Sequence, residues 1–221
     1  MFYAFDIETM PDSVKISSLP EPDVKLGNLK DPAKIEEKIA EARTEQIAKM
    51  ALNPLYGRIC AAVFVAPGAN GKLESLRFAA GDDDAEEAAL IAGCFGVLRL
   101  DSARIVTWNG INFDLPFLFK RAVILGVPLR DVPVLSFWCK RYATGSHIDL
   151  MQIWSGWNSQ QFAKLDDVAG VCADDHKIKI DFKEFPELVK TAEGREKILD
   201  YCEQDVRLTY KIFEKFNGVL F

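Results

Sequence analysis

Residues 58–66 (RICAAVFVA) hold a single charge, on their first residue, and read as a buried strand. Gly68 to Gly71 supply a turn, and residues 73–79 return as the second strand of a hairpin. Around this hairpin the chain alternates. Residues 2–8 form a short β-type run, 82–100 a helix with acids in its first turn, and 104–108 a strand. Residues 114–125 form a helix stopped near Gly126-Val127-Pro128, and 132–138 another strand. Helices over 159–169 and about 193–216 complete the order. Strand, hairpin and then alternating helices and strands describe an α/β domain with a mixed sheet. Residues 10–55 stand apart: Pro11, Pro20 and Pro22 mark a loop, and Asp31-Pro32 caps an amphipathic helix over 33–51. This stretch reads as a partly helical insertion between the first two strands, open to a role as substrate lid or partner surface.

With 221 residues, one domain spanning 1–221 is expected, large enough to bury a core without disulfide staples. Apolar residues at 49% and charged residues at 27% match soluble globular proteins and exclude a mainly disordered, collagenous or coiled-coil chain. Five cysteines, each at least 30 residues from the next, make neither a disulfide framework nor a zinc site. The first residues show no basic-then-apolar leader, and no apolar run approaches the ~18 residues a membrane span needs. A cytoplasmic protein with no membrane partner is therefore expected. The net charge of −6 argues against a broad basic surface for nucleic acid. It leaves open a carboxylate cluster that handles phosphates through divalent metals, because such a cluster itself adds negative charge.

Three segments carry the chemistry. Asp6 and Glu8 are two apart on a strand, so both carboxylates point to one face and repel unless a cation sits between them. Mg²⁺ and Mn²⁺ take oxygen ligands of that kind, although a solvated edge strand gives the same spacing. Tyr201 and Asp205 are four apart in the last helix and share a face, as an ordinary surface pair also would. Between them, residues 105–118 end a strand at Trp108, turn through Asn109-Gly110, and place Asp114 where a helix begins. Alone, Asn109 and Asn112 serve as turn and cap residues, and Asp114 as a helix cap.

Taken together, FDIET at 5–9, WNGINFDLPFL at 108–118 and YCEQDV at 201–206 resemble the three motifs of the DEDD 3′–5′ exonuclease superfamily. The asparagine, three residues and then FDLPFL are similar to the proofreading exonuclease domain of family B DNA polymerases. The chain ends about 15 residues after the third motif, so a stand-alone exonuclease without a polymerase domain is expected. The resemblance implies a ribonuclease H-like fold, a mixed central sheet flanked by helices. It implies that Asp6, Glu8, Asp114 and Asp205 bind two divalent ions, Mg²⁺ or Mn²⁺, with Asp6 bridging them. Glu8 and Asp205 would hold the ion that activates water, and Asp114 would support the other. Asp200 stands where the histidine subclass has His, which places the chain with the tyrosine subclass, and Tyr201 would orient the attacking water. Thr9, Met10, Asn109, Asn112 and Phe113 lie where that family contacts the strand end, and Phe113 equally suits the core.

The implied reaction releases nucleoside 5′-monophosphates from the 3′ end of single-stranded DNA. RNA or oligoribonucleotides remain an alternative substrate, and a catalytically silent nucleic-acid-binding module an alternative role. A separate polymerase or repair partner would suit the negative charge. Trp154 and Trp157 are open to stacking on bases or to packing. His147 and Asp149 suggest a structural hydrogen bond. Lys177 and Lys179 alternate with Ile178 and Ile180, as on a strand facing solvent or a phosphate.

Overall fold

A computed structural model of the chain describes residues 1–99, 104–128 and 141–220. Strands β1 (Phe2–Pro11), β2 (Gly57–Pro67), β3 (Leu73–Ala79), β4 (Arg104–Thr107) and β5 (His147–Asp149) form one sheet in the order β3-β2-β1-β4-β5. β2 runs antiparallel to both β1 and β3, while β4 is parallel to β1 and β5. The expected mixed α/β sheet is what these residues build.

Every residue of β2 except Pro67 is buried, as a strand covered on both faces must be. Alternation along β1 sorts its side chains between two cores. Phe5 and Ile7 join the core beneath α2 (Asp84–Leu98) and α3 (Asp114–Leu125), with Ile91, Phe95 and Leu118. Ala4 joins the opposite core, against α5 (Leu165–Ala173), α6 (Phe185–Leu188) and α7 (Ala192–Asn217), with Val168, Phe185 and Leu208. Asp6 and Glu8 pair with Val63 and Ala61, residues of that second core, so they project towards α7. The register between β1 and β2 shifts between Glu8 and Thr9. There the Cys60 thiol donates to the Glu8 carbonyl at 3.4 Å, and an irregularity of this kind re-aims a strand beside a site.

The segment between β1 and β2 carries α1 (Pro32–Met50), capped by Asp31, whose carboxylate accepts from the Ala33 N–H. Its ends are fastened to the domain. The Asp12 N–H donates to Tyr56 O at 2.9 Å, the Thr9 hydroxyl to Ala51 O at 2.7 Å, and Arg121 Nη1 to Pro54 O at 3.1 Å. No helix among the described residues is long and apolar enough to cross a membrane.

Two expectations need correction. The helix placed over 159–169 is a 3-10 turn at Ser159–Gln161, an extended break at 162–164, and then α5 to Ala173. Ser159, Gln160, Gln161 and Lys164 are polar and exposed, whereas the apolar period begins at Leu165. Residues 175–180 form no strand: the side chain of Asp166, rather than a neighbouring strand, takes the Lys177 N–H, at 2.8 Å. The strand expected at 132–138 lies outside the described residues.

Candidate functional site

Four carboxylates reach one point from three elements. β1 delivers Asp6 and Glu8. α7 delivers Tyr201 and Asp205 from one face, 4% and 3% exposed, with that helix packed across β1 and β2. The Cys202 thiol, between them, donates to the Asp6 carbonyl at 3.7 Å and fastens the helix to the strand. Asp114 arrives from the first turn of α3. It does not cap its helix: Phe113 holds the cap position without a side-chain bond, and the Asp114 carboxylate accepts the Ile7 N–H at 3.2 Å.

The turn before α3 explains that delivery. Asn109 has φ 71°, a left-handed conformation that asparagine tolerates. Gly110 is required by space, since a Cβ there would lie 2.4 Å from Thr107 Oγ1. Asp149 holds the turn by accepting the N–H groups of Asn109 (3.0 Å) and Ile111 (2.9 Å), while also capping α4 (Leu150–Trp154) through Met151 and Gln152. His147 Nε2 lies 2.8 Å from Thr107 Oγ1. Both residues therefore do the structural work expected of them.

The electrostatics follow from burying acids together. Burial first, and then the charges of Asp114, Glu8 and Asp205, hold the Asp6 carboxyl well above its ordinary range. Burial and Asp205 raise Glu8 as well, with Lys177 opposing. Burial pushes Asp114 up to about 6 even though hydrogen bonds with Asp6 and the Ile7 N–H favour its ionised form. Asp205 is raised by burial and held down in part by Lys177. Lys177 Nζ sits 2.5 Å from Asp205 Oδ2 and 5.2 Å from the centre of the Tyr201 ring. Burial works against this ammonium, but the Asp205 carboxylate outweighs it and holds the lysine above its usual value. Tyr201 is raised by burial, so its hydroxyl stays protonated at neutral pH and can act as a donor or an orienting group rather than as a phenolate.

Among the described residues one ammonium stands among four carboxylates, which leaves negative charge uncompensated there, and Asp205 Oδ1 is buried with no hydrogen-bond partner. Ligand atoms of Asp6, Glu8 and Cys202 lie within 4.8 Å of one another. Hard oxygen donors, raised pKa values and an orphaned carboxylate oxygen fit divalent cations.

The other candidate residues divide. Met10 is 1% exposed with its side chain in the α7-side core, and the Thr9 hydroxyl is engaged by Ala51, which leaves backbone rather than side chain for any ligand. Asn112 is exposed and donates through Nδ2 to Asn109 Oδ1 at 2.8 Å. Phe113 is half-buried, its ring 5.6 Å from that of Phe117, and packs on the core beneath α2 and α3. Trp154 is 45% exposed near Phe216, while Trp157 faces a cleft with Tyr142. Lys179 is exposed. The placement of Lys177 on Asp205 was not legible in its strand-like spacing, which gave a face and no partner. Phe182, 54% exposed and edge-on to Tyr201 at 5.6 Å, also lines the approach.

This fold has a counterpart in a solved structure, the family B DNA polymerase of the archaeon Pyrobaculum calidifontis. The match has a TM-score of 0.59 and 22% identity and covers 97% of this chain and 24% of that one. The class is that of the ribonuclease H-like exonuclease fold. A family model described as a predicted 3′–5′ exonuclease related to the exonuclease domain of PolB matches residues 50–219, and the chain belongs to that family. Asp114, Tyr201 and Asp205 fall within the match, whereas Asp6 and Glu8 precede it and join the site by geometry. Among curated relatives, the DNA polymerase catalytic subunit of human herpesvirus 6B is 27% identical over 156 residues, 60% of this chain and 15% of that protein. The DNA polymerase of Thermococcus litoralis is 31% identical over 131 residues, 54% of this chain and 8% of that protein. The chain thus matches only a small part of each polymerase's length.

Proposed function

We propose that the protein is a metal-dependent 3′–5′ exonuclease of the tyrosine subclass. It would remove nucleoside 5′-monophosphates from the 3′ end of single-stranded DNA. The observation that carries this reading is the gathering of Asp6, Glu8, Asp114 and Asp205, the first half-buried and the other three buried, with more negative charge than Lys177 neutralises. Family membership supports the reaction class, and the polymerase relatives support DNA over RNA.

The four carboxylates would hold two divalent cations, Mg²⁺ or Mn²⁺. Such ions, when bound, stabilise the attacking and leaving oxygens of a phosphodiester and make water more acidic. The protein's own groups do the rest. Burial of the acids keeps them desolvated and preorganised, so no reorganisation is needed when substrate arrives. The protonated Tyr201 hydroxyl, fixed on the same helix face as Asp205, orients the nucleophilic water. Lys177 keeps Asp205 ionised despite its burial and places a positive charge beside the reacting phosphate. Asn109, Asn112 and Phe113, on the turn that delivers Asp114, would grip the 3′-terminal nucleotide. The overall negative charge favours delivery of the strand by a separate polymerase or repair partner.

The test is a 5′-labelled single-stranded DNA incubated with Mg²⁺, Mn²⁺ or chelator, beside a matched RNA and an Asp6→Ala, Asp205→Ala double variant. A metal-dependent ladder shortening from the 3′ end, faster on DNA and absent from the variant, is expected. Cleavage of neither polymer by the parent protein would overturn the reading, and faster loss of RNA would replace its substrate.

A further inference from the structure

β3 is the outermost strand on one side of the sheet, and its outer edge is open. In the β2–β3 ladder the Gly68 N–H donates to Lys72 O at 2.8 Å and the Ala80 N–H to Cys60 O at 2.9 Å. The register is unbroken, so the backbone groups of the even-numbered residues face β2, and those of Leu73, Ser75, Arg77 and Ala79 face outward. The N–H and C=O groups of these four have no backbone partner among the described residues. Natural edges are blunted by bulges, prolines or charges held over the open ladder. β3 has neither bulge nor proline, and both of its charges are turned aside. The Glu74 side chain folds back over Gly68, and Arg77 reaches across to α7.

The two faces that flank this edge differ. On the α7 side, Arg77 Nη2 is shared by Glu196 at 3.0 Å and Asp200 at 2.8 Å. Glu203 lies 3.5 Å from Arg77 Nε and 2.6 Å from Arg207 Nη2. Three carboxylates thus meet two guanidinium groups, and the side chains of Glu196 and Asp200 are 64% and 65% exposed. On the α2 side the surface is mainly apolar. Leu76 is 49% exposed and rims a cleft of about 330 Å³ with Tyr3, Ala66 and Pro67, a volume suited to a small ligand or a large side chain. Side chains alternate along a strand. One laid on this edge would therefore put every second side chain beside the acids and the others beside Leu76 and the cleft.

We propose that the β3 edge docks an extended segment of another protein in which basic and apolar residues alternate. The segment pairs antiparallel to β3 and adds a strand to the sheet. Its main chain bonds to Leu73, Ser75, Arg77 and Ala79, its basic side chains meet Glu196 and Asp200, and an apolar side chain enters the cleft behind Leu76. Charge selects this occupant. The acids around Arg77 outnumber the arginines they bind, and the net charge of −6 attracts a basic segment while repelling a second copy of the chain. β3 lies two strands from β1, so a segment docked here leaves the carboxylate centre uncovered. The proposal does not depend on the exonuclease reading.

The probe is a fluorescein-labelled peptide of alternating lysine and valine, matched to the seven residues of β3 and followed by anisotropy. One control carries glutamate in place of lysine. Another is N-methylated at the lysines, whose N–H groups face β3 in the antiparallel pairing. Saturable binding of the lysine peptide is expected, with each control weaker by about tenfold or more. Ser75→Pro removes an outward N–H without touching the β2 ladder. It should weaken binding roughly tenfold, as one or two lost main-chain hydrogen bonds would. Glu196→Lys combined with Asp200→Lys should lose the lysine peptide and take up the glutamate one, an exchange that a folding defect cannot produce. Equal binding of the two charged peptides, or no saturation by about 1 mM, would overturn the proposal. Sedimentation of the protein alone separates the other occupant. A dimer that Ser75→Pro converts to monomer would assign the edge to a second copy and overturn the proposal as well.

Discussion

Two of the groups of buried charge among the described residues contrast sharply, one complete and the other not. Glu87 on α2 is fully buried. Its Oε1 accepts from the Ile59 N–H at 2.9 Å and from Arg121 Nε at 2.8 Å, and its Oε2 from Arg121 Nη2 at 2.6 Å. Arg121 spends a further N–H on Pro54 O, so the pair also pins the end of the 12–56 segment. Elsewhere, Asp6, Glu8, Asp114 and Asp205 share Lys177 as their one cation among the described residues, and among those residues the buried Asp205 Oδ1 has no hydrogen-bond partner. The first group holds the structure together, whereas the second opposes it until positive charge arrives.

Substitutions separate the two groups with opposite signs. Arg121→Ala leaves the Glu87 charge buried and unpaired and should destabilise the protein by about 3–5 kcal/mol, read by chemical denaturation. Asp6→Asn, measured in chelator, should stabilise it by roughly 1–3 kcal/mol, because a carboxylate raised by burial and like charges is removed. A loss of stability in Asp6→Asn would place that acid in the first group.

The pH dependence sharpens the same contrast. Carboxylates titrate near 4 in the unfolded chain, but Asp114 keeps its proton to about 6 in the fold, and Asp6 and Glu8 are raised as well. The native state then binds more protons than the unfolded state. The stability those protons confer is full below about pH 4 and is lost as pH rises through about 6. Melting temperature in chelator should therefore fall by about 3–8 °C from pH 5 to pH 8, and by less in Asp6→Asn. A smaller effect is expected at Lys177, the cation that the described residues bring to the unfinished group. Lys177→Met raises the Asp205 carboxyl further, so the acidic limb of the pH–rate profile should move to higher pH, with neutral activity down about tenfold. An unmoved limb would mean that Lys177 only packs.

Much of this was legible in the chain. Period two in β1 put Asp6 and Glu8 on one face, period four in α7 put Tyr201 and Asp205 on another, and the Asn-Gly turn before Asp114 announced the third approach. These are local rules, and local geometry obeyed them. What was not legible depends on long-range partners. The carboxylate of Asp114 reaches back 107 residues to Ile7 instead of capping its own helix. Lys177 is committed to Asp205, Met10 turns into the core, and the helix expected from Ser159 waits for Leu165.

The most direct test of the unfinished centre is a melting experiment in chelator and then with Mg²⁺ or Mn²⁺, on the parent and an Asp6→Asn, Asp205→Asn variant. At a hundredfold excess over its dissociation constant, an ion bound only by the folded state adds about 2.7 kcal/mol. The parent should accordingly melt about 5–10 °C higher with metal, and the variant should not respond. No shift in the parent, or an equal shift in both proteins, would contradict the claim that these carboxylates are arranged to be completed by divalent cations.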